Sequence, residues 1–137
     1  MNILLLDIET APNLVHVWGL WQQNVGLPQI ISSGYVLCWS AKWYGRPKIY
    51  FDSINQSSPK LMLSRIHTMM SRADAIVHYN GIKFDIPTLN KEFIKMEFNP
   101  PTPSHQIDLL HVVKRMCRFG SNKLDYVSKG IYIDDSR

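Results

Sequence analysis

The sequence is poor in cysteine and lacks the common nucleotide-binding motifs. Its two cysteines, Cys38 and Cys117, stand far apart and outside any Cys-x-x-Cys pattern. This spacing argues against a disulfide framework and predicts two reduced, partly buried thiols in an intracellular protein. The five histidines show no zinc-ligand spacing. The absence of Gly-x-Gly-x-x-Gly and of Gly-Lys-Ser/Thr lowers the support for nucleotide-cofactor folds.

Long apolar runs are also absent. No stretch reaches the length of a bilayer span, so we expect no membrane association. Asp7 interrupts the apolar start and no basic region precedes it, which argues against a signal peptide. With 137 residues, of which 45% are hydrophobic and 19% charged, the chain is long enough to bury one core.

The net charge of +4 is weak support for a nucleic-acid partner, but its distribution is more informative. Five basic residues lie between Leu110 and Ile131, against one acid. A basic surface beside acidic residues suits a polyanion whose phosphate must approach carboxylates. The alternative is an ordinary solvated helix face, and the sequence does not decide between the two. The basic residues are Lys114, Arg115, Arg118, Lys123 and Lys129.

Two acids close the first apolar run. Ile3 to Leu6 is typical of a short buried strand, and Asp7 and Glu9 follow it one residue apart. Alternate side chains of a strand point to the same face, so these two carboxylates lie side by side. Their charges repel, and a hard divalent cation such as Mg²⁺ would remove the conflict. The alternative is a strand that reaches water with both acids solvated, and the short pattern alone favours it.

A second segment combines a turn with a helix start. Asn80-Gly81 is a turn signal after a short apolar strand, and Asp85 then falls at or near the N-terminus of a helix. The apolar positions that follow recur at helical spacing. Taken singly, Asp85 is best interpreted as an ordinary N-cap. Asp108 is likewise interpreted as the cap of a later helix rather than as a metal ligand.

Together, Asp7-x-Glu9 and Asn80-Gly81-x-x-Phe84-Asp85 resemble the DnaQ-like (DEDD) 3′–5′ exonuclease superfamily. The chain is most similar in appearance to phage exonucleases and to the proofreading domains of phage DNA polymerases. The resemblance continues at residues 107–110, where the family commonly has an Ile-Asp-Thr-like start to a helix. It continues again at residues 119–125. It implies an α/β, ribonuclease H-like fold with a mixed central sheet of about five strands and flanking helices.

The resemblance also implies a function. Asp7, Glu9 and Asp85 would be the catalytic and metal-binding residues, holding two Mg²⁺ or Mn²⁺ ions that promote phosphodiester hydrolysis. Thr10, Asn80 and Phe84 would bind the substrate. That substrate would be a single-stranded nucleic-acid 3′ end, DNA in preference to RNA, and the location would be cytoplasmic, in the host if the protein is phage-encoded.

One family motif has no counterpart here. Relatives end with a Tyr or His four residues before a final Asp, whereas no Tyr or His precedes Asp125, Asp134 or Asp135 at that distance. We therefore expect residues 1–137 to form one incomplete exonuclease-like domain, with impaired activity and a tendency to self-associate. Two alternatives remain: a non-catalytic nucleic-acid-binding module, or a proofreading segment that acts only with a polymerase or other downstream polypeptide.

The remaining pattern predicts an antiparallel meander of three strands, followed by a helix and a parallel strand beside the first. A long connection after Thr10 carries Trp18 and Trp21. Tryptophan is a common core anchor, and we predict core packing for both, with base stacking as the alternative. The predicted strands cover about Asn2–Ile8, Gly34–Trp43, Lys48–Phe51 and Ala75–Val77. The predicted helices end near Arg72, Met96, Cys117 and Lys129.

Overall fold

The computed structural model describes residues 1–102 and 104–131 and contains a five-stranded mixed sheet in the order β5-β4-β1-β6-β7. This architecture confirms the predicted α/β fold and strand number. Two further short strands, β2 and β3, pair with each other away from that sheet. The strands are β1 Ile3–Thr10, β2 Leu14–Val15, β3 Ile30–Ser32, β4 Val36–Trp43, β5 Ile49–Ser53, β6 Ala75–His78 and β7 His105–Asp108. The helices are α1 Pro59–Ser71, α2 Asp85–Lys95, α3 Leu109–Met116 and α4 Leu124–Ile131.

Strand pairing follows the predicted topology. β1 pairs antiparallel with β4, with Asp7 opposite Ser40, and β4 pairs antiparallel with β5. On its other side β1 runs parallel to β6, with Leu5 opposite Val77, and β6 runs parallel to β7. The carboxyl ends of β1, β6 and β7 therefore meet at one edge of the sheet.

One face of the sheet packs against α1 and α2. Ser58 caps α1 by accepting a hydrogen bond from the Leu61 N–H, and Pro59 is the first residue of the helix. The Trp39 indole N–H donates to the Met62 carbonyl at 2.9 Å, which joins β4 to α1. The buried core comprises Leu4, Leu6, Ile8, Val36, Trp39, Ala41, Met62, Leu63, Ile66, Met70, Ile76, Leu89 and Phe93.

The opposite face of the sheet is only partly covered. It carries a cavity of about 290 Å³, bounded by the sheet residues Leu5 and Val77 and by Leu109 and Leu124 of α3 and α4. Ile49 at the rim is exposed, and so is Leu124 for about half of its surface. The lining of this cavity is predominantly apolar.

The long connection after β1 differs from the prediction. It forms an arm, residues 11–33, built on β2 and β3 with a short 3₁₀ turn at Leu27–Gln29. Trp18 is fully exposed and Trp21 is 83% exposed. The prediction that both tryptophans pack in the core is wrong, because side chains of β4, α1 and α2 already fill the core and the arm lies outside it.

The cysteines and the basic residues can also be compared with their predictions. Cys38 is half-buried, as predicted, but Cys117 is exposed because it follows the last turn of α3. All five basic residues of the 110–131 region are exposed, and Lys129 forms an ion pair with Asp125 at 2.9 Å. Asp134 and Asp135 lie outside the described residues. Within the described ranges, no helix has the length and apolar character needed to cross a membrane.

Candidate active site

The first strand presents two carboxylates on one face. Leu6 and Ile8 are buried in the core, while Asp7 and Glu9 between and beyond them are exposed on the opposite side. The pairing of β1 with β4 shifts between Glu9 and Thr10, where the strand ends. In the part of the chain that the structure describes, neither carboxylate accepts a hydrogen bond or forms an ion pair, so both side chains are free to turn toward a cation.

The turn after β6 is held in an unusual backbone conformation. Asn80 has a φ of +63°, in the left-handed region that asparagine tolerates better than most residues. At Gly81 an added Cβ would lie 2.3 Å from Cγ of the buried His78 ring, so only glycine fits there. The Gly81 N–H donates to Nδ1 of the same ring at 3.2 Å, while Nε2 lies 2.9 Å from Oε1 of Gln106. These contacts fit the tautomer with its proton on Nε2.

Asp108 locks this turn from the neighbouring strand. It caps α3 by accepting the Leu110 N–H at 3.0 Å, which confirms the predicted cap. The same buried carboxylate accepts the N–H groups of Asn80 at 2.8 Å and of Ile82 at 3.4 Å. Burial acts to raise the pKa of Asp108, but these backbone hydrogen bonds hold it below its usual range. Asp108 is therefore fully engaged in positioning the backbone.

Asp85 follows the locked turn as the first residue of α2. The N-cap position belongs to Phe84, which makes no capping hydrogen bond through its side chain, so the interpretation of Asp85 as an ordinary N-cap is wrong. Asp85 is 7% exposed, and its Oδ2 atom is buried without a hydrogen-bond partner within residues 1–102 and 104–131. A buried carboxylate oxygen without a partner is costly and calls for a missing ligand.

The charges of the site converge on Asp85. Burial first, and then the negative charges of Asp7, Asp108 and Glu9, raise the pKa of Asp85 to about 6. Nevertheless, no three His, Cys, Asp or Glu side chains of the described residues are close enough together to form a ready-made metal site. The donor set suits a hard divalent cation, and the unpaired Oδ2 of Asp85 gives such a cation a ligand. The charges of Asp7, Asp108 and Glu9 thus act together on Asp85.

The three predicted substrate-binding residues lie around this cluster. Thr10 ends β1 directly after Glu9, and Asn80 occupies the locked turn; both are half-buried. Phe84 is 61% exposed beside Asp85, so its ring is available to a ligand. The sequence interpretation missed His78, Gln106 and the second role of Asp108. The only signal for His78 was a polar residue at the end of an apolar strand.

Tyr79 also enters the site region without having been predicted. Its hydroxyl donates to the Asn122 carbonyl, which joins the end of β6 to the segment before α4. Burial and the charge of Asp108 raise the pKa of Tyr79 above its usual value. Tyr79 also lines the cavity on the partly covered sheet face, together with Asp7 and Leu124.

Comparison with known proteins places the chain in a family. The model of the RNase_H superfamily matches residues 36–136, most of the chain, and the chain therefore belongs to that superfamily. The match confirms the ribonuclease H-like fold and, with the structures below, the DnaQ-like resemblance. Asp7 and Glu9 lie before the matched range. No curated protein matches the sequence.

Solved structures share the fold at low sequence identity. E. coli exonuclease I in complex with a dA16 oligonucleotide is 14% identical with a TM-score of 0.66, over 97% of this chain and 36% of that one. The zinc-ion-bound complex of the same enzyme with single-stranded DNA is 15% identical with a TM-score of 0.65, covering 98% and 36%. The family B DNA polymerase of Pyrobaculum calidifontis is 15% identical with a TM-score of 0.61, covering 97% and 18%. The chain therefore spans about a third or less of the proteins that it matches.

Proposed function

We propose that this protein is a metal-dependent 3′–5′ exonuclease acting on single-stranded nucleic-acid ends, with Asp7, Glu9 and Asp85 as its catalytic carboxylates. The observation that carries the proposal is the buried Oδ2 of Asp85, which has no hydrogen-bond partner among the described residues and lies within the field of two exposed carboxylates on β1. A carboxylate is kept in such an environment at the expense of stability, and perturbed carboxylates of this kind concentrate at functional sites.

The donor set fits Mg²⁺ or Mn²⁺, and two such ions would supply an activated water and charge stabilisation of the leaving 3′ oxygen. By the resemblance to DnaQ-like exonucleases, Asp7 would be one of the carboxylates that hold these ions. Glu9 and Asp85 would each complete one side of the site. The side chains of Asp7 and Glu9 are exposed and can turn toward a cation, whereas Asp85 is buried at the start of α2.

The substrate side of the proposal rests on the surrounding residues. Thr10 and Asn80 place backbone and side-chain polar groups beside the carboxylates, and the exposed ring of Phe84 can pack against a terminal sugar or base. Two of the solved exonuclease I structures contain single-stranded DNA, which favours DNA over RNA for this chain too. The five exposed basic residues of the 110–131 region add positive charge that suits a polyanion.

A second candidate is a nucleic-acid-binding module without catalytic activity. It is favoured by the open arrangement of the carboxylates and by the missing Tyr/His-x-x-x-Asp motif. A separate alternative is a proofreading segment that cleaves only when it is joined to a phage DNA polymerase. Metal-dependent cleavage distinguishes the candidates, because a binding module would hold the oligonucleotide without shortening it.

The decisive experiment combines cleavage with metal binding. Asp7→Asn should abolish Mn²⁺-dependent shortening of a 5′-labelled single-stranded oligonucleotide and should remove the increase in melting temperature that Mn²⁺ gives the unmodified protein. Asp125→Asn is the matched control, because Asp125 is an exposed carboxylate that pairs with Lys129 among the described residues. Cleavage by Asp7→Asn at the unmodified rate would overturn the assignment.

A further inference from the structure

The arm of residues 11–33 is firmly closed at its base. The Ala11 N–H donates to the Tyr35 carbonyl at 2.8 Å, and the Gly34 N–H donates to Oδ1 of Asn13 at 2.7 Å. A Cβ at Gly34 would lie 2.4 Å from the Ala11 carbonyl oxygen, so the two ends of the arm are in close backbone contact. The arm therefore leaves the sheet from a fixed point, immediately after β1.

The arm is also crosslinked along its length. The His16 N–H donates to the Gln29 carbonyl at 2.8 Å, and the Gln29 side chain returns a hydrogen bond to the His16 carbonyl at 2.9 Å. Oε1 of Gln29 accepts the Gly26 N–H at 2.8 Å. One amide side chain thus ties both sides of the arm together, and the segment between His16 and Gly26 is presented as a defined tip.

That tip exposes large apolar side chains. Trp18 is fully exposed, and Leu20 and Trp21 are each more than 80% exposed; Leu27, directly after the tip, is 84% exposed. Single exposed apolar residues are common, but a cluster with two tryptophans on one short segment is typical of an interaction surface. The hydrogen bonds of His16, Gly26 and Gln29 close the base of the tip, so these side chains are presented from a fixed point.

The charge pattern of the arm narrows the choice of ligand. No Asp or Glu occurs between Glu9 and Asp52, and the charged residues of that stretch are Lys42, Arg46 and Lys48. The arm itself has no acid that would repel a phosphate chain and no lysine or arginine that would bind one. The side chains of the arm would therefore contribute to binding through contact with uncharged, flat groups. The faces of nucleobases are such groups.

We infer that Trp18 and Trp21 form a stacking platform for bases of single-stranded nucleic acid. The position of the arm favours this ligand over a protein. The arm begins directly after Thr10, the last residue of β1, and so lies next to the Asp7 and Glu9 carboxylates. The inference rests on the proposed function of that site and assigns to the arm the bases upstream of the cleaved end. Stacking on tryptophan is tolerant of base identity, since every base has a π-face.

The test measures binding in EDTA, where no metal-dependent hydrolysis can occur. Fluorescence anisotropy gives the affinity of the full chain for a labelled single-stranded oligonucleotide. Trp18→Ala and Trp21→Ala should each weaken binding by about fivefold or more, with Trp18→Phe retaining most of the affinity. The slope of affinity against salt should be unchanged, because no phosphate contact is lost. Tyr44→Ala is the matched control, since Tyr44 is an exposed aromatic residue outside the arm.

An abasic oligonucleotide of the same length completes the design. It keeps the phosphates and lacks the bases, so the unmodified protein and the two alanine variants should bind it equally weakly. Equal binding of a normal oligonucleotide by the alanine variants and the unmodified protein would overturn the inference, even if Mn²⁺-dependent cleavage is intact. The inference would also be overturned if the alanine variants lost self-association but kept their oligonucleotide affinity. That result would identify the arm as a protein interface. Failure of Asp7→Asn to block cleavage would instead count against the proposed function alone.

Discussion

Asp85 shows how one residue can be costly to the fold and useful to a site. A helix start commonly satisfies its free N–H groups with a side-chain cap, yet the buried Oδ2 of this carboxylate has no partner in residues 1–102 and 104–131. Its pKa of about 6 means that ionisation at neutral pH opposes folding. A cation at the site would offset that cost, because it would supply the missing opposite charge.

At the residue scale we predict that Asp85→Asn stabilises the metal-free protein at neutral pH. The folded-state pKa of Asp85 lies above the unfolded value of 3.8, so the protonated Asp85 side chain is favoured by folding. This contribution of Asp85 to the stability of the unmodified protein is fully present below about pH 4 and is lost as the pH rises through 6. The shift corresponds to at most about 3 kcal/mol. The variant should therefore melt several degrees higher than the unmodified protein at pH 7.5, and the difference should vanish near pH 4.

The measurement is a series of thermal melts in EDTA across that pH range, repeated at pH 7.5 with Mn²⁺. Added Mn²⁺ should stabilise the unmodified protein and leave Asp85→Asn unchanged. Asp125→Asn serves again as control and should show neither effect. A variant that melts lower than the unmodified protein at pH 7.5 would show that the Asp85 carboxylate has a structural partner.

At the scale of the element, the loop between β6 and α2 is built by its neighbours. Asp108 binds its backbone from β7, and His78 packs beneath Gly81 from β6. The first turn of α2 then continues from the Gly81 carbonyl, which accepts the Ile86 N–H at 2.9 Å. Asp85 is consequently placed by two strands and a turn rather than by its own capping preference.

We predict that Gly81→Ala damages both stability and the site. Its Cβ would lie 2.3 Å from the His78 ring, which is buried and cannot move away freely. We expect a loss of about 1–3 kcal/mol in the free energy of unfolding, as for overpacking elsewhere. Urea denaturation measures it, and Mn²⁺ titration by thermal shift should show weaker metal binding.

Gly26→Ala is the matched control for this change. A Cβ at Gly26 would meet its neighbours at 3.5 Å or more, which is ordinary contact. It should change the free energy of unfolding by less than about 1 kcal/mol and leave metal binding intact. Equal effects of the two substitutions would contradict the steric argument at Gly81.

At the scale of the whole molecule, the two faces of the sheet are unequal. One face is sealed by α1 and α2, while the other carries the apolar cavity beside Asp7, only partly covered by α3 and α4. In the resemblance to DnaQ-like exonucleases, a final Tyr or His and Asp would come from a helix near the end of the domain. Asp108 is poorly suited to replace that Asp, because its oxygens already accept three backbone N–H groups.

We therefore predict that the 137-residue chain alone is a weak nuclease. General-base assistance is worth about 10²–10⁴-fold in rate, and the sequence has no matching Tyr or His to orient the water. Adding a downstream segment that carries the missing motif, fused or as a separate chain, should raise Mn²⁺-dependent shortening of a labelled oligonucleotide by a factor in that range. The prediction would be contradicted if the 137-residue chain cleaved as fast as the extended form and if Asp134→Asn or Asp135→Asn slowed that cleavage. This chain would then supply its own fourth carboxylate.

The sequence by itself determined the sheet, its meander and the order of the site motifs. Alternation in β1 separates Leu6 and Ile8 from Asp7 and Glu9, and this local period needs no tertiary information. Turn chemistry at Asn80-Gly81 is equally local, because few residues tolerate a positive φ. The cap formed by Asp108 also follows from short-range preference.

Only the tertiary structure decided how these residues act. Asp85 has the sequence context of a cap, but its burial and the charges of Asp7 and Glu9 come from elements far away along the chain. Trp18 and Trp21 have the composition of core residues, yet a closed arm base keeps them outside. In both cases the outcome depends on which surfaces are already covered, and that is set by the packing of α1 and α2 onto the sheet rather than by any local pattern.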